Sequence, residues 1–88
     1  MGRKQYRISF YDSAEVRLDP FELAWLISKH NIEVVGKREG APVLIVQAVY
    51  DEQIERFMSD VNRQSGPLIF KDVEVLTSDG YEPLEVGP

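Results

Sequence analysis

The segment Val43–Val49, with the sequence VLIVQAV, is apolar at every position except Gln47. A run that is apolar on both faces is typical of a strand in the middle of a sheet. Before it, Glu39–Pro42 contains Gly40, which suits a turn because glycine tolerates positive φ angles. Ile32–Arg38 has the pattern of the preceding strand. The segment therefore predicts two consecutive strands joined by a short turn.

A helix precedes this pair of strands. Asp19 can accept hydrogen bonds from the free N–H groups at a helix start, and Pro20 suits the first helical position. Glu22, three residues after Asp19, completes a capping box. The helix is predicted over Pro20–His30. Upstream of it, Gln5–Tyr11 alternates apolar and polar residues, which indicates a strand with one buried face.

A second helix follows the central strand. Asp51 is suited to cap it, and Glu52–Gln64 has apolar residues at three- and four-residue spacing, as in an amphipathic helix. These residues are Ile54, Phe57, Met58 and Val61. Gly66 and Pro67 are typical of a helix end, and Leu68–Leu76 is predicted as the last strand.

The predicted elements follow the order strand, helix, strand, strand, helix, strand. With right-handed crossovers this order gives an α+β domain of the ferredoxin-like βαββαβ type. We expect a four-stranded antiparallel sheet in the order 4-1-3-2, with two helices on one face. Residues 1–76 are predicted to form this single domain. Residues 77–88, rich in Pro, Gly and acidic residues, are expected to form a flexible acidic C-terminal tail.

The composition excludes several classes of chemistry. The 88 residues include no cysteine and one histidine, which excludes disulfides, thiolate metal sites and cysteine nucleophiles. Ten basic and 15 acidic residues give a net charge of −5, which argues against binding to nucleic acid or to an anionic membrane. The apolar runs, such as Val43–Val46, are too short for a signal peptide or a membrane helix, so we expect a cytoplasmic protein.

The sequence predicts no catalytic, cofactor-binding or metal-binding residues. His30 lies at a predicted helix end, where a histidine interacts favourably with the last carbonyls and the helix dipole. Asp51, Glu52 and Glu55 lie near the start of the second helix, where carboxylates complement the dipole and stay solvated. We therefore expect a protein that is not an enzyme and needs no cofactor.

The first helix is apolar over a wide arc. At 100° per residue, Leu23, Ala24 and Ile27 share a stripe that can face the sheet. Phe21 and Trp25, one turn apart, then fall on a different flank. Either the second helix and the tail cover these two aromatic residues, or they anchor a partner, since such residues are enriched at interface centres.

The face of the sheet away from the helices is also predicted to be apolar at its centre. The position of Gln47 indicates that Val43 and Ile45 point to this face, together with Arg7 and Tyr11 of the first strand. An apolar strip of this kind is poorly solvated in a monomer. We expect a homodimer, another protein or the chain's own tail to cover it.

One hydrophobic pattern extends over residues 5–76. Its parts are Arg7–Tyr11 (RISFY), Pro20 with Leu23, Asn31–Val34 (NIEV) and Pro42–Val46 (PVLIV). In this pattern the chain resembles the ACT and NIL regulatory domains. The resemblance implies a ferredoxin-like fold, pairing as dimers, and binding of amino acids or similar small molecules near the first loop and helix.

Three functional hypotheses follow. The leading one is a small non-catalytic regulatory or protein-interaction module, dimeric through the Val43 and Ile45 sheet face or the Phe21 and Trp25 flank. The second is an amino-acid sensor with a pocket between Asp12–Leu18 and the first helix. The third is an acidic inhibitor that mimics nucleic acid, and its candidate residues are Asp51, Glu52, Glu55 and the acids of residues 77–88.

Overall fold

The computed structural model describes residues 2–11, 19–38, 42–65 and 69–84. These residues form five strands and two helices. The elements are β1 (Lys4–Phe10), α1 (Pro20–Lys29), β2 (Glu33–Arg38), β3 (Val43–Ala48), α2 (Asp51–Ser65), β4 (Phe70–Thr77) and β5 (Gly80–Pro83). The α+β class expected from the sequence is confirmed.

The strands form one antiparallel sheet in the order β2-β3-β1-β4-β5. The expected four-stranded ferredoxin-like sheet in the order 4-1-3-2 is therefore wrong. The difference arises at Thr77, where the chain turns back instead of leaving the sheet. Gly80 has a φ of 104°, and the Thr77 hydroxyl donates to the Gly80 carbonyl at 2.9 Å while accepting from the Asp79 N–H at 3.1 Å. This tight turn allows β5 to pair with β4, with Tyr81 opposite Leu76.

The chain remains bonded to the sheet just after β5. The Leu84 N–H donates to the Val73 carbonyl at 2.9 Å, and the Leu84 side chain packs against the core. Residues 77–84, which the sequence predicts to be part of a flexible acidic tail, therefore belong to the folded domain. The rest of that predicted tail, residues 85–88, lies outside the described residues.

The core lies between one face of the sheet and the two helices. Its fully buried side chains include Tyr6, Ile8 and Val46 from the sheet and Ile54 and Phe57 from α2. Val61 is also buried and Met58 is partly buried, so the predicted apolar stripe of α2 is confirmed.

The buried stripe of α1 differs from the expected one. Leu26 is buried, Leu23 and Ile27 are partly buried, and Ala24 is exposed. Together with the partly buried His30, these residues have the spacing of one continuous helix face, at positions 23, 26, 27 and 30. Because α1 is apolar over so wide an arc, periodicity alone does not select which stripe packs on the sheet.

Candidate interaction surface

The first turn of α1 is fixed by its cap. Asp19 Oδ1 accepts from the Phe21 N–H at 2.9 Å, and the Asp19 carbonyl accepts from the Leu23 N–H at the same distance. Pro20 occupies the first helical turn, where its missing N–H costs no hydrogen bond. The cap predicted from Asp19 and Pro20 is confirmed, and it holds the start of α1 in a defined conformation.

The face of α1 opposite the sheet carries two exposed aromatic residues. Phe21 is 87 % exposed and Trp25 is 58 % exposed, one turn apart on the helix. Ala24 and Ser28 are exposed on the same face. We call these four residues the outer α1 patch. The Lys29 ammonium lies 5.3 Å from the centre of the Trp25 ring, in a cation–π contact at the edge of the patch.

The end of α1 is closed by local hydrogen bonds. The His30 N–H donates to the Leu26 carbonyl and the Asn31 N–H to the Ser28 carbonyl, both at 3.1 Å. Asn31 has a φ of 56°, in the left-handed region that often ends a helix. The Ile32 N–H then donates to the Ile27 carbonyl at 3.0 Å, so the chain enters β2 with these backbone groups paired.

The His30 side chain joins the end of α1 to α2. Its Nε2 lies 2.7 Å from Asp60 Oδ2, and its ring packs edge-on against Phe57. Lys29 Nζ lies 3.5 Å from the same Asp60 oxygen. The sequence predicts an interaction of the ring with the last carbonyls of its own helix, whereas the structure places it on a carboxylate of the neighbouring helix. The hydrogen bond from His30 lowers the pKa of Asp60, and the nearby Lys29 charge lowers it further.

Replacing Asp60 by asparagine is expected to destabilise the fold at neutral pH, with a smaller effect in acid. Because the folded-state pKa of Asp60 is lowered, its contribution is present above the unfolded-state pKa and is lost as the pH falls through the folded value. Urea unfolding of the wild type and D60N from pH 7 down to about pH 2 measures this difference. The control is D72N at an exposed position, and a D60N effect that does not change with pH contradicts the prediction.

Gln53 joins α1 to α2, a role that was not predicted from the sequence. Its Oε1 accepts from the N–H groups of Val49 and Tyr50 at 3.0 and 2.8 Å. Its Nε2 donates to the His30 carbonyl at 2.9 Å, so one side chain links the start of α2 to the end of α1. The spacing in the sequence could have indicated this role, because a glutamine three residues after Tyr50 occupies the position of a capping-box partner.

Asp51, predicted as the cap of the second helix, has a different role. Its Oδ1 accepts from the buried Tyr6 hydroxyl at 2.5 Å and lies 3.3 Å from Lys4 Nζ. Burial raises the pKa of the Tyr6 hydroxyl, and the hydrogen bond to the Asp51 carboxylate raises it further. Asp51 therefore ties α2 to β1.

The outer face of the sheet has a polar centre. Arg7 lies opposite Ile45 in the strand register, and its Nη2 and Nε lie 2.8 and 2.9 Å from Glu74 Oε1. The guanidinium group also stacks on Tyr81, 4.3 Å from the ring centre, and Gln5 donates to the Tyr81 hydroxyl at 2.8 Å. The contact of Arg7 with Tyr81 was not predicted from the sequence, because it depends on the pairing of β5 with β4.

The residues predicted to bind a partner occupy two separate surfaces. Val43, Ile45 and Arg7 share the outer sheet face, where Val43 and Ile45 are partly buried. Tyr11 is 38 % exposed and lines the same shallow depression as Val43, with a volume of about 310 Å³. Phe21 and Trp25 lie on the helix layer, on the other side of the sheet.

The predicted small-molecule pocket between Asp12–Leu18 and the first helix lies outside the described residues. A second depression, of about 460 Å³, lies where α1 ends and α2 begins, and Gln53 and Tyr50 are among its lining residues. In the described part of the chain, no group of His, Asp and Glu side chains is arranged to hold a metal ion, and no helix is long and apolar enough to cross a membrane.

Acidic and basic side chains are interspersed on the described surface. The pairs are Arg3–Glu33, Lys4–Asp51, Arg7–Glu74, Arg56–Glu52, and Asp60 with Lys29 and Arg63. A mimic of nucleic acid requires carboxylates that are clustered without cations between them. The observed pairing does not favour that hypothesis.

Comparisons with known proteins give no assignment. No family model matches the chain, and no curated protein and no solved structure matches it. A functional proposal for this chain therefore depends on the geometry of its own residues.

Proposed function

We propose that this chain is a small non-catalytic protein-interaction module that binds a partner protein through the outer α1 patch. The observation that carries the proposal is the exposure of Phe21 and Trp25 on one helix face. Burying one large apolar side chain contributes about 1.5–3 kcal/mol, so this patch offers a sizeable driving force for association. Tryptophan is also among the residues enriched at binding hot spots.

The patch is held rigidly, which favours binding. Asp19 caps the start of α1, and Gln53 and the His30–Asp60 contact join its end to α2. A surface that is already in its bound conformation loses less conformational entropy when a partner docks. The contacts that hold α1 in place therefore also prepare the patch for recognition.

The outer α1 patch is a better interface than the outer sheet face. On the sheet face, Arg7 and Glu74 form a partly buried ion pair that Tyr81 covers. Removing the remaining water from such a pair has a desolvation cost that offsets the gain from burying Val43 and Ile45. The proposal includes the cytoplasmic location expected from the sequence, which a chain without cysteine suits.

Affinity capture from the native cell tests this proposal. We expect the wild-type chain to retain a specific protein that the double variant F21A/W25A does not retain. The matched control is Y50A, because Tyr50 is 55 % exposed and lies outside the patch. Circular dichroism checks that each variant is folded. Capture that is unchanged in F21A/W25A, or lost equally in Y50A, contradicts the proposal.

A further inference from the structure

We infer that the partner of the outer α1 patch is a second copy of this chain, bound with the two α1 helices antiparallel across a two-fold axis. This inference depends on the proposed function and names the occupant of the same surface. The reason is that the patch is complementary to itself: a two-fold axis brings its aromatic side chains together and places opposite charges beside them. A two-fold interface requires this kind of self-complementarity, because the same residues meet from both sides.

The patch has one side with large side chains and one side with small ones. At 100° per residue, Phe21 and Trp25 lie on the first side, and Ala24 and Ser28 lie on the second. A two-fold axis between Ala24 and Trp25 keeps each side of the patch next to the same side of the second copy. The two Trp25 rings therefore lie beside each other, and each Phe21 lies at the level of Ser28 of the second copy. Stacking of two aromatic rings is favourable beyond the area that it buries.

The charges beside the patch favour the antiparallel direction. At 100° per residue, Glu22 and Lys29 lie on the same flank of α1 as Trp25. Glu22 is in the first turn and Lys29 in the last turn, so an antiparallel pair brings each Glu22 near Lys29 of the second copy. A parallel two-fold pair instead places the two charged flanks on opposite sides of the interface, where these contacts do not form. The two helix dipoles are also opposed in the antiparallel pair, which is favourable.

The Lys29 side chain is exposed enough to reach this contact. Its side chain is 50 % exposed, and its 3.5 Å distance to Asp60 is that of a loose ion pair. Its stacking on Trp25 keeps the ammonium beside the patch.

The size of the patch predicts a weak dimer. From their exposed fractions, the four aromatic rings of the pair bring roughly 600 Å² of surface together. Stable complexes bury about 1,200–2,000 Å² in total, so the neighbouring side chains must add the remainder and the interface lies at the low end. We expect a dissociation constant on the order of 100 µM.

Sedimentation equilibrium combined with fluorescence tests the dimer. Between about 5 and 500 µM, the wild type is expected to pass from monomer to dimer. Trp25 is the only tryptophan in the sequence, so its emission is expected to shift to the blue in parallel with the dimer fraction. A monomer throughout this range, or a dimer that leaves the emission unchanged, overturns the inference.

Charge variants test the antiparallel arrangement. In E22K and in K29E, both contacts of each homodimer become repulsive, and we expect about tenfold weaker association. A mixture of the two variants restores both attractive contacts in the heterodimer and is expected to associate about as well as the wild type. A merely structural role of Lys29 with Asp60 does not give recovery on mixing. Absence of recovery, with both variants folded, overturns the inference.

The two proposals fail in different ways. If the chain stays monomeric while its capture of another protein still depends on Phe21 and Trp25, the second copy is excluded and the interaction function remains. If a wild-type dimer forms but F21A/W25A dimerises equally well, another surface is used and the inference is overturned. If neither association depends on the patch, both proposals are wrong.

Discussion

Replacing Phe57 by alanine is expected to lower the free energy of unfolding by about 3–5 kcal/mol. The Phe57 side chain is fully buried, and its ring packs edge-on against Phe70 with 6.1 Å between ring centres. It also contacts the His30 ring, so one residue supports the core, β4 and the end of α1. Domains of this kind have total stabilities of about 5–15 kcal/mol, so the variant is expected to lose a large share of its stability.

Chemical denaturation followed by far-ultraviolet circular dichroism measures this loss. The matched control is M58A, because Met58 is the next residue of α2 and only partly buried. Truncating a partly buried side chain removes less apolar contact and leaves a smaller cavity, so M58A is expected to be clearly more stable than F57A. Equal losses in the two variants would mean that the core is not centred on Phe57.

Replacing Gln53 by alanine is the second change with a large expected effect, about 2–3 kcal/mol. The variant leaves the N–H groups of Val49 and Tyr50 and the carbonyl of His30 without their protein partner. Part of this loss is recovered by water, because Gln53 is not fully buried. Chemical denaturation measures the loss of stability, and hydrogen-exchange measurements are expected to show faster exchange of the Val49 and Tyr50 amides.

A glutamate at position 53 separates the two halves of this contact. Q53E keeps an oxygen that accepts from Val49 and Tyr50, but it loses the donor to His30. Its stability is expected to lie between those of the wild type and Q53A. The control is Q64A, at an exposed position of the same helix. A Q53A variant no less stable than Q64A shows that the bridge between α1 and α2 contributes little.

The features that were predicted correctly depend on neighbours in the chain. The cap at Asp19 and Pro20 was predictable because the groups it satisfies lie within the next turn. The stripe of α2 was predictable because polar residues between its apolar positions leave one way to face the core. In α1, by contrast, apolar residues on almost every side allow more than one packing, and contact with the sheet selects Leu26 instead of Ala24.

The errors concern contacts that the local sequence pattern does not reveal. Residues 80–83 contain a glycine and a proline, which are unfavourable for a strand in isolation. They form β5 because the edge of β4 is available and because Arg7 and Gln5 hold the Tyr81 side chain from across the sheet. Likewise, nothing in the local sequence around Asp60 indicates that His30 will contact it.

The outer α1 patch depends both on local spacing in the sequence and on tertiary packing. Phe21 and Trp25 share a helix face because residues four apart in the sequence are neighbours on any α-helix. The exposure of this face depends on the tertiary structure, because α1 packs on the sheet through Leu26 and its neighbours. The sequence by itself thus determined the helices, the cap of α1 and most of the strands, through interactions within a few residues. The tertiary structure decided the fifth strand, the His30–Asp60 contact and the exposed aromatic face. The turn between β4 and β5 is local, but Gln5 and Arg7 of β1 hold Tyr81 against the sheet. The other two features depend on contacts between residues far apart in the chain.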